Sequence, residues 1–371
     1  MTEKILKMSQ FSRKSFIRIF LILSLFVMCV FTMLFSGKST YALAQTGESE
    51  IVMETISNRV LYGKNIDQKK FMASTTKILT AITIIENCNI EDVVTVTADT
   101  VGVEGSSIYL EAGEKLTVKD LLYGLMLRSG NDCAETLAVY CSGDIKTFAE
   151  LMNATAKKIG ADNSNFINPH GLHDDNHYTT AYDLALISCY AIKNPIFKEI
   201  VSAKRADIPF TTRNCKRRLI NKNKMLSRLD GCTGVKTGFT KKAGRCLVTS
   251  CERNGMEVVC VVLNCGPMWD VSEKLINNAF KDYSIYKLAE KDNIAGFITD
   301  KATKKKYPLY IKNDVVVPLT ENEAKNLKVV YDYPEYSEDF IEKNKEVGAI
   351  KIYYQNDLLF SEKIYTITDV S

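Results

Sequence analysis

Proline, histidine and paired cysteines are scarce in this chain. Its 371 residues include 7 prolines and 3 histidines, and its 11 cysteines form no C-x-x-C pair. The few prolines and the 46% hydrophobic share exclude a disordered or low-complexity chain. The missing C-x-x-C spacing excludes a zinc knuckle. No internal repeat is evident, and the length predicts two domains, or one large domain with an appendage.

The chain also lacks an excess of basic charge outside its N-terminus. Overall it carries 48 Lys and Arg against 44 Asp and Glu. Residues 1–44 hold six of the basic residues and one acid, which leaves 42 basic and 43 acidic residues in the rest. The sequence therefore predicts no nucleic-acid partner.

The first 44 residues have the pattern of an export signal. Five basic residues precede an uncharged apolar run over 19–35, and the small-residue site Ala42-Leu43-Ala44 follows. This pattern predicts a signal peptide over 1–44, cleaved after Ala44. The apolar run is nearly long enough to span a bilayer, so an uncleaved membrane anchor is the alternative. Either way, we expect the protein to work outside the cytoplasm, in the cell wall, either secreted or attached to the outer face of the cytoplasmic membrane.

The ten cysteines that follow this segment have no regular spacing. An exported protein can pair its cysteines, yet most of these lie inside apolar runs, as Cys189, Cys246 and Cys260 do. Buried free thiols, in a habitat with little oxygen, fit equally well. At this level both interpretations stay open.

Strand signals lie at both ends of residues 45–288. Residues 50–62 predict two short strands, and 233–239 predicts another. Asn254-Gly255 separates two apolar runs and predicts a hairpin with a two-residue turn. A helix is predicted from Asp270 to about Leu288.

Helical patterns fill the stretch between these strands. A helix is predicted from about Ser74 to Glu86. Thr117 resembles the first residue of a capping box, and the pattern that follows it breaks at 128–131, where two helices should meet. Another helix should begin at Thr180. The order predicts an α+β fold: an antiparallel sheet flanked by helices, with a helical insert between sheet strands. Residues 289–371, rich in Tyr and Val, predict a small C-terminal all-β domain.

A serine and a lysine stand one turn apart in MASTTKILTA. Ser74 and Lys77 are at positions i and i+3, on one face of the predicted helix. A serine hydroxyl is a poor nucleophile until a base takes its proton. A lysine whose pKa is lowered by burial can be that base. Alone, S-x-x-K is a weak signal, because an N-cap serine beside a surface lysine has the same spacing.

Two further tripeptides strengthen this interpretation. Ser129-Gly130-Asn131 lies at the predicted break between helices, and Lys236-Thr237-Gly238 lies on a predicted strand. The order S-x-x-K, S-x-N, K-T-G is the mark of penicillin-binding proteins and serine β-lactamases. With NPHGLHDDNHYTTAYDLA and GVKTGFTKKAG, the chain over about 45–285 resembles the low-molecular-mass D-alanyl-D-alanine carboxypeptidases. The tail resembles the C-terminal domain of that family.

The resemblance implies four catalytic residues. Ser74 would attack the carbonyl between the two D-alanines that end a peptidoglycan stem pentapeptide, and Lys77 would take its proton. Ser129 would relay a proton to the departing D-alanine, and Asn131 would hold Lys77 and the substrate amide. Water would then hydrolyse the acyl-enzyme. β-Lactams mimic this substrate and should acylate Ser74 as covalent inhibitors.

The resemblance also implies a substrate-binding strand. It further implies that the enzyme needs no metal or organic cofactor. Lys236 would supply positive charge, and Thr237 and Thr240 would bind the substrate carboxylate. The backbone N–H groups of Ser74 and Phe239 would form the oxyanion hole. The implied substrate-binding residues are Lys236, Thr237, Gly238, Phe239 and Thr240.

One departure from the family concerns the substrate carboxylate. Members often have an arginine shortly after the last sheet strand, but 263–270, LNCGPMWD, has none. If that arginine helps to hold the terminal carboxylate, its absence puts substrate affinity in doubt. The middle motif, S-G-N, fits the carboxypeptidases, whereas many β-lactamases have S-D-N.

Several alternatives stay open. His170, His173 and His177 are candidate zinc ligands, although the stretch lacks H-E-x-x-H. Cleavage of peptidoglycan cross-links by the same site, or a penicillin sensor without turnover, would keep the same motifs. Cys133 is either a reactive thiol or a packing residue. Trp269 either stacks on a sugar or packs at the sheet edge.

Overall fold

The computed structural model describes residues 47–370. The predicted signal peptide lies outside these residues. The first nine strands are β1 (Ser49–Glu54), β2 (Val60–Lys64), β3 (Val93–Thr95), β4 (Lys115–Thr117), β5 (Arg205–Phe210), β6 (Cys215–Ile220), β7 (Cys232–Thr240), β8 (Gly244–Arg253) and β9 (Met256–Leu263). The last eight are β10 (Ser284–Ala289), β11 (Ile294–Asp300), β12 (Lys306–Ile311), β13 (Val315–Leu319), β14 (Leu327–Asp332), β15 (Tyr336–Ser337), β16 (Glu346–Tyr354) and β17 (Asp357–Thr366). The α-helices are α1 (Lys77–Asn87), α2 (Val118–Tyr123), α3 (Asn131–Ser142), α4 (Ile145–Ile159), α5 (Ala181–Ile192), α6 (Pro195–Ser202), α7 (Met225–Arg228), α8 (Met268–Asp282) and α9 (Glu321–Lys325).

A five-stranded antiparallel sheet carries the larger part of the chain. Its strand order is β2-β1-β9-β8-β7, so β1 and β2 join three strands that follow about 170 residues later in the chain. Arg253 and Met256 pair across Asn254-Gly255, which confirms the predicted hairpin. The helices α1 to α7 lie in the chain between β2 and β7. This arrangement confirms the predicted α+β fold with a helical insert.

The two faces of this sheet are buried against different helices. Val235, Cys246 and Val248 pack in a core with residues of α1 and α5. Leu247 and Val262 pack on the opposite face against α8. Because side chains alternate along a strand, each strand divides its residues between these two cores.

The helix starts follow from local capping. Thr117 and Asp120 form a complete capping box at the start of α2. Thr180 accepts a hydrogen bond from Asp183 N at the start of α5. After α2, a π-helical turn, Gly124–Arg128, ends at Ser129. This confirms the predicted break between helices.

The C-terminal region is all β apart from the short helix α9. Its main sheet has six strands in the order β14-β16-β17-β12-β11-β15, and β10 pairs with β13. The helix predicted from Asp270 to Leu288 is wrong at its end, because α8 ends at Asp282 and Ser284–Ala289 is β10. The division at 288/289 stays a prediction.

The ten cysteines within the described residues are all free thiols. Six of them are buried, at positions 133, 189, 246, 251, 260 and 265. The structure therefore favours the interpretation as packing thiols. Within residues 47–370, no helix combines the length and the apolar character that a membrane span requires.

Candidate active site

Ser74 lies on a short 3₁₀ turn, Ala73–Thr76, which leads directly into α1. The Thr75 hydroxyl donates a hydrogen bond to Met72 O at 2.6 Å, and the Thr76 hydroxyl donates one to Ala73 O at 2.8 Å. Ala73 has a left-handed backbone conformation, with φ of 48°. These local bonds fix the turn, so the Ser74 hydroxyl is held at its tip instead of on a regular helix.

Lys77 is fully buried at the start of α1. Its Nζ donates hydrogen bonds to Asn131 Oδ1 and to His170 O, both at 2.7 Å. Nζ lies 3.3 Å from Ser74 Oγ. Burial, and then the nearby Lys236 ammonium, lower the pKa of Lys77 well below its usual value. The neutral amine is therefore accessible beside the serine.

Ser129 and Asn131 approach from the end of the π-helical turn. Ser129 has φ of 65° and ψ of 33°, a left-handed conformation that is strained for a serine. Its buried Oγ has no hydrogen-bond partner among residues 47–370. Asn131 donates from Nδ2 to Glu104 O while its Oδ1 accepts from Lys77. The break between helices thus directs both side chains towards Lys77 and Ser74.

Strand β7 forms the other side of the site. Lys236 is buried, with Nζ donating to Thr237 O at 3.2 Å. Burial, and then the charge of Lys222, lower the pKa of Lys236 to about 7. Gly238 touches the serine turn, since a Cβ at this position would lie 3.0 Å from Met72 O and 3.1 Å from Ser74 N. A Cβ here would require the backbone of the turn to shift by a few tenths of an ångström, so a glycine suits this close approach of β7 to the nucleophile.

Thr237 and Thr240 differ in their surroundings. Thr237 lines the cleft beside Ser74. The Thr240 hydroxyl accepts a hydrogen bond from Ala243 N at 3.0 Å, in the turn between β7 and β8, and Thr240 is not among the residues that line the cleft. Its predicted contact with the substrate carboxylate stays a prediction.

Five of the nine predicted site residues line an open cleft of about 420 Å³, whereas Lys77, Asn131, Lys236 and Thr240 are not part of its lining. The cleft is lined by Ser74, Ser106, Ser129, Lys222, Thr237, Gly238, Phe239, Arg245, Met268 and Trp269. Sequence reasoning missed Ser106, Lys222, Arg245 and Met268. Arg245 lies opposite Phe239 through the register of β7 and β8, which no motif in the sequence marks. Lys222, whose Nζ donates to Ser106 Oγ, comes from a loop without a motif.

The ring nitrogens of the three histidines point to different partners, and only the His177 ring is hydrogen-bonded to the serine turn. His177 Nε2 lies 2.8 Å from Thr76 Oγ1, and its Nδ1 accepts from Ile167 N. Burial lowers the pKa of His177 to about 3, so the ring is neutral. His170 pairs with Glu135, and His173 with Asp175. In the part of the chain that the structure describes, no group of three His, Cys, Asp or Glu side chains can hold a metal ion. The zinc alternative therefore finds no site there.

Cys133 and Trp269 have clear environments. Cys133 is buried in the helical core, and its burial raises the pKa of the thiol, so a packing role is favoured. Trp269 lines the cleft and also packs against the core under α8. The indole thus forms an apolar wall of the site.

Comparison with known proteins yields two family matches. The model for D-alanyl-D-alanine carboxypeptidases, peptidase S11, matches residues 37–266. The model for the C-terminal domain of penicillin-binding protein 5 matches residues 283–371.

Individual relatives match over most of their length. D-alanyl-D-alanine carboxypeptidase DacF of Bacillus subtilis is 28% identical over 346 residues, which cover 90% of this chain and 88% of that protein. DacC of Escherichia coli is 32% identical over 304 residues, covering 77% and 74%. Penicillin-binding protein 5 from Haemophilus influenzae superposes with a TM-score of 0.76 at 26% identity, covering 88% of this chain and 98% of that one. A Streptomyces K15 DD-transpeptidase mutant superposes with a TM-score of 0.61 at 31% identity, covering 64% and 98%.

Proposed function

Since the chain belongs to the D-alanyl-D-alanine carboxypeptidase family, peptidase S11, we propose that it removes the terminal D-alanine from peptidoglycan stem peptides through an acyl-enzyme on Ser74. One observation carries the mechanism. The buried Lys77 amine donates two hydrogen bonds, to Asn131 and His170, and its third side faces Ser74 Oγ.

In the neutral form, this arrangement leaves the nitrogen lone pair for the serine. A neutral amine has two N–H donors and one lone pair, and both donors already have acceptors at 2.7 Å. The lone pair of Lys77 then accepts the Ser74 proton as Oγ bonds to the substrate carbonyl carbon. The carbonyl oxygen becomes an oxyanion, and the N–H groups of Ser74 and Phe239 stabilise it. The close contact of Gly238 with the serine turn supports this pair of donors.

Collapse of this intermediate breaks the C–N bond to the last D-alanine. The leaving nitrogen needs a proton, and Ser129 relays it from the Lys77 ammonium. The buried Ser129 Oγ, which has no partner within residues 47–370, supports this role. Asn131 holds Lys77 in place and binds the substrate amide. The products of this step are free D-alanine and an ester on Ser74.

Water completes the cycle. Lys77, neutral again, takes a proton from water, the hydroxide attacks the ester carbonyl, and the proton returns to Ser74 Oγ. Lys236 supplies positive charge, and Thr237 and Thr240 bind the substrate carboxylate. A β-lactam would acylate Ser74 in the same way, but its leaving group stays tethered.

We also propose a location and an organisation for the whole chain. The signal pattern over 1–44 supports action outside the cytoplasm, with cleavage after Ala44 or retention of 19–35 as a membrane anchor. Residues 45–288 would form the catalytic domain, and 289–371 a C-terminal β domain. The partner is peptidoglycan.

D-Alanine release from a pentapeptide ending in D-Ala-D-Ala tests the proposal. The native protein should release D-alanine, and Ser74→Ala should release none above background. Lys77→Arg should also lose the activity, because a guanidinium keeps its proton and cannot serve as the base. Equal release by native protein and Ser74→Ala would disprove the mechanism. Penicillin labelling without any release would indicate a sensor, and cleavage of cross-linked dimers alone would indicate an endopeptidase.

A further inference from the structure

The start of α8 contributes a wall to the cleft but no positive charge. Met268 and Trp269 line the cleft, and residues 263–270 contain neither Lys nor Arg. In the family this segment often carries an arginine. A substrate with a free terminal carboxylate therefore needs its cation from another element of this chain.

Arg245, on β8, lines the same cleft as Met268 and Trp269. Arg245 pairs with Phe239 of β7. Thr237, two residues before Phe239, pairs with Leu247. Directly paired residues of antiparallel strands share a face, and so do residues i and i+2. Arg245 and Thr237 line the same cleft. Leu247 belongs to the core under α8, so Arg245, two residues away on β8, is on the α8 face of the sheet. This is the face on which Met268 and Trp269 line the cleft.

The Arg245 guanidinium is available to a ligand. The side chain is exposed, and within residues 47–370 no side chain or carbonyl pairs with it. Most other arginines within residues 47–370 have a partner. For example, Arg217 forms an ion pair with Glu114, and Arg228 forms ion pairs with Asp270 and Glu273. None of the residues that line the cleft is a carboxylate. An unpaired guanidinium in an acid-free cleft is suited to an anionic group.

We propose that Arg245 binds the α-carboxylate of the terminal D-alanine, together with the Thr237 hydroxyl. The inference rests on the proposed function and specifies how that site recognises the end of its substrate. A guanidinium can donate two parallel N–H bonds to a carboxylate, which fixes both its position and its orientation. Besides Lys236 of β7, this chain therefore supplies a second cation from β8, whereas residues 263–270 supply none.

This assignment makes Arg245 a determinant of cleavage position. In D-Ala-D-Ala the free α-carboxylate lies on the residue that leaves, so Arg245 favours substrates whose leaving residue carries such a carboxylate. A substrate whose terminal carboxylate is replaced by an amide should gain nothing from Arg245.

Two matched substrates test the proposal: a blocked tripeptide ending in D-Ala-D-Ala, and the same peptide with a C-terminal amide. For Arg245→Gln, kcat/KM on the carboxylate substrate should fall about 10- to 100-fold, the range of a charge-assisted hydrogen-bonded pair. On the amide, kcat/KM should change less than about twofold, because the lost group had no partner there. Arg245→Lys should keep part of the preference, since it keeps the charge without the planar fork.

Two further variants serve as controls. Lys241→Gln removes an exposed positive charge from the neighbouring turn, outside the residues that line the cleft, and should leave both substrates unaffected. Lys222→Gln removes the other cation that lines the cleft. If Lys222→Gln, and not Arg245→Gln, removes the preference for a carboxylate, the proposal is wrong. An equal loss on both substrates with Arg245→Gln would also overturn it, because it would indicate a structural role.

Failure of the proposed function would remain distinguishable. If the native protein releases no D-alanine, the rate of Ser74 acylation by a penicillin and by its methyl ester gives the same comparison. Arg245→Gln should then slow acylation by the free acid about 10- to 100-fold and spare the ester. Equal rates for the acid in native protein and variant would refute the role of Arg245 by itself.

Discussion

Two lysines are buried at one site, an arrangement that is unfavourable in free energy when both are charged. Lys77 and Lys236 are both excluded from solvent, and neither forms an ion pair with a carboxylate within residues 47–370. Burial of an unpaired ammonium is unfavourable, so such groups shift their pKa instead. Lys77, which also feels the charge of Lys236, loses its proton first. The pair thus supplies one base and one cation from the same residue type.

The first prediction concerns the pH dependence of kcat/KM. Activity needs neutral Lys77 and charged Lys236, so the profile should be bell-shaped. It should rise with pH as Lys77 loses its proton and fall with an apparent pKa of about 7 as Lys236 loses its own. Initial rates of D-alanine release from a blocked peptide, between pH 4 and pH 10, measure both limbs.

Lys236→Arg is the control for the alkaline limb. Its guanidinium stays charged throughout this range, so any residual activity should lack the limb near pH 7. If the alkaline limb is unchanged in Lys236→Arg, the limb arises from the titration of another group. In native protein, the apparent pKa of the alkaline limb should be higher in the profile of kcat than in that of kcat/KM, because a bound carboxylate stabilises the Lys236 ammonium.

The second prediction concerns stability. Lys236→Met should abolish D-alanine release and raise the free energy of unfolding at pH 6.5 by about 1 to 4 kcal/mol, because it removes a buried cation. The pKa of Lys236 falls from 10.5 to about 7 on folding. The cost of the buried charge is therefore complete below pH 7 and disappears as the pH rises towards 10.5.

Urea unfolding at pH 6.5 and at pH 9.5 checks this sign. The gain from Lys236→Met should be larger at pH 6.5. Lys241→Met, at an exposed position, should change stability little at either pH. A gain of the same size at both values would show that improved packing, rather than charge removal, is the cause.

At the scale of elements, the serine turn is held between β7 and the loop that precedes α5. Gly238 of β7 touches the turn from one side. Gly171 touches it from the other, since a Cβ there would lie 1.9 Å from Ala73 O. The neighbouring His170 carbonyl accepts a bond from Lys77. This loop, first considered as a zinc site, therefore positions both the base and the nucleophile.

The third prediction separates this contact from backbone strain. Gly171→Ala should abolish acylation by penicillin and lower the free energy of unfolding by about 3 kcal/mol or more, because the added methyl group overlaps a backbone carbonyl. Gly102→Ala is the matched control. Gly102 has a similar left-handed φ, 75° against 87°, but its Cβ would meet nothing within 4 Å.

Gly102→Ala should cost only about 1 to 2 kcal/mol, the penalty of a left-handed alanine, and should keep full acylation. Thermal unfolding and the rate of penicillin labelling measure the two effects. Equal losses in both variants would mean that φ alone, and not the contact with Ala73, makes glycine necessary at position 171.

At the scale of the whole molecule, a half-buried ion pair links the main sheet to the C-terminal region. Arg59, beside β2, lies 2.5 Å from Glu323 of α9 and also donates to Pro318 O. Both charged side chains are only slightly exposed, at 11% and 13%. The Arg59 guanidinium also lies over the ring of Tyr283, the residue between α8 and β10. The residues from Thr46 onward accordingly form one compact unit.

The fourth prediction is that Arg59→Ala lowers the free energy of unfolding by about 2 to 4 kcal/mol, because it leaves Glu323 half-buried without its cation. D-Alanine release should stay unchanged, because Arg59 is not among the residues that line the cleft. Lys325→Ala breaks an exposed pair with Glu321 and should cost less than about 0.5 kcal/mol. A loss of activity in Arg59→Ala at a temperature where it is fully folded would contradict this separation.

Local signals predicted most of the elements correctly. The capping residues Thr117 and Thr180 and the Asn254-Gly255 turn act within a few residues of the chain, so sequence alone is sufficient for them. The end of α8 was predicted too late because Ser284–Ala289 has no strong strand pattern. Its strand conformation depends on pairing with β13, about 30 residues further along the chain.

What the sequence alone determined is the chemistry that the chain has available: the three motifs, their order and the residue types that acyl transfer requires. What only the tertiary structure decided is which of these groups meet and in which protonation state. Lys77 and Lys236 have lowered pKa values because distant segments enclose them, and burial is not encoded at any single position. The place of Arg245 in the cleft was decided in the same way, by the register of two paired strands.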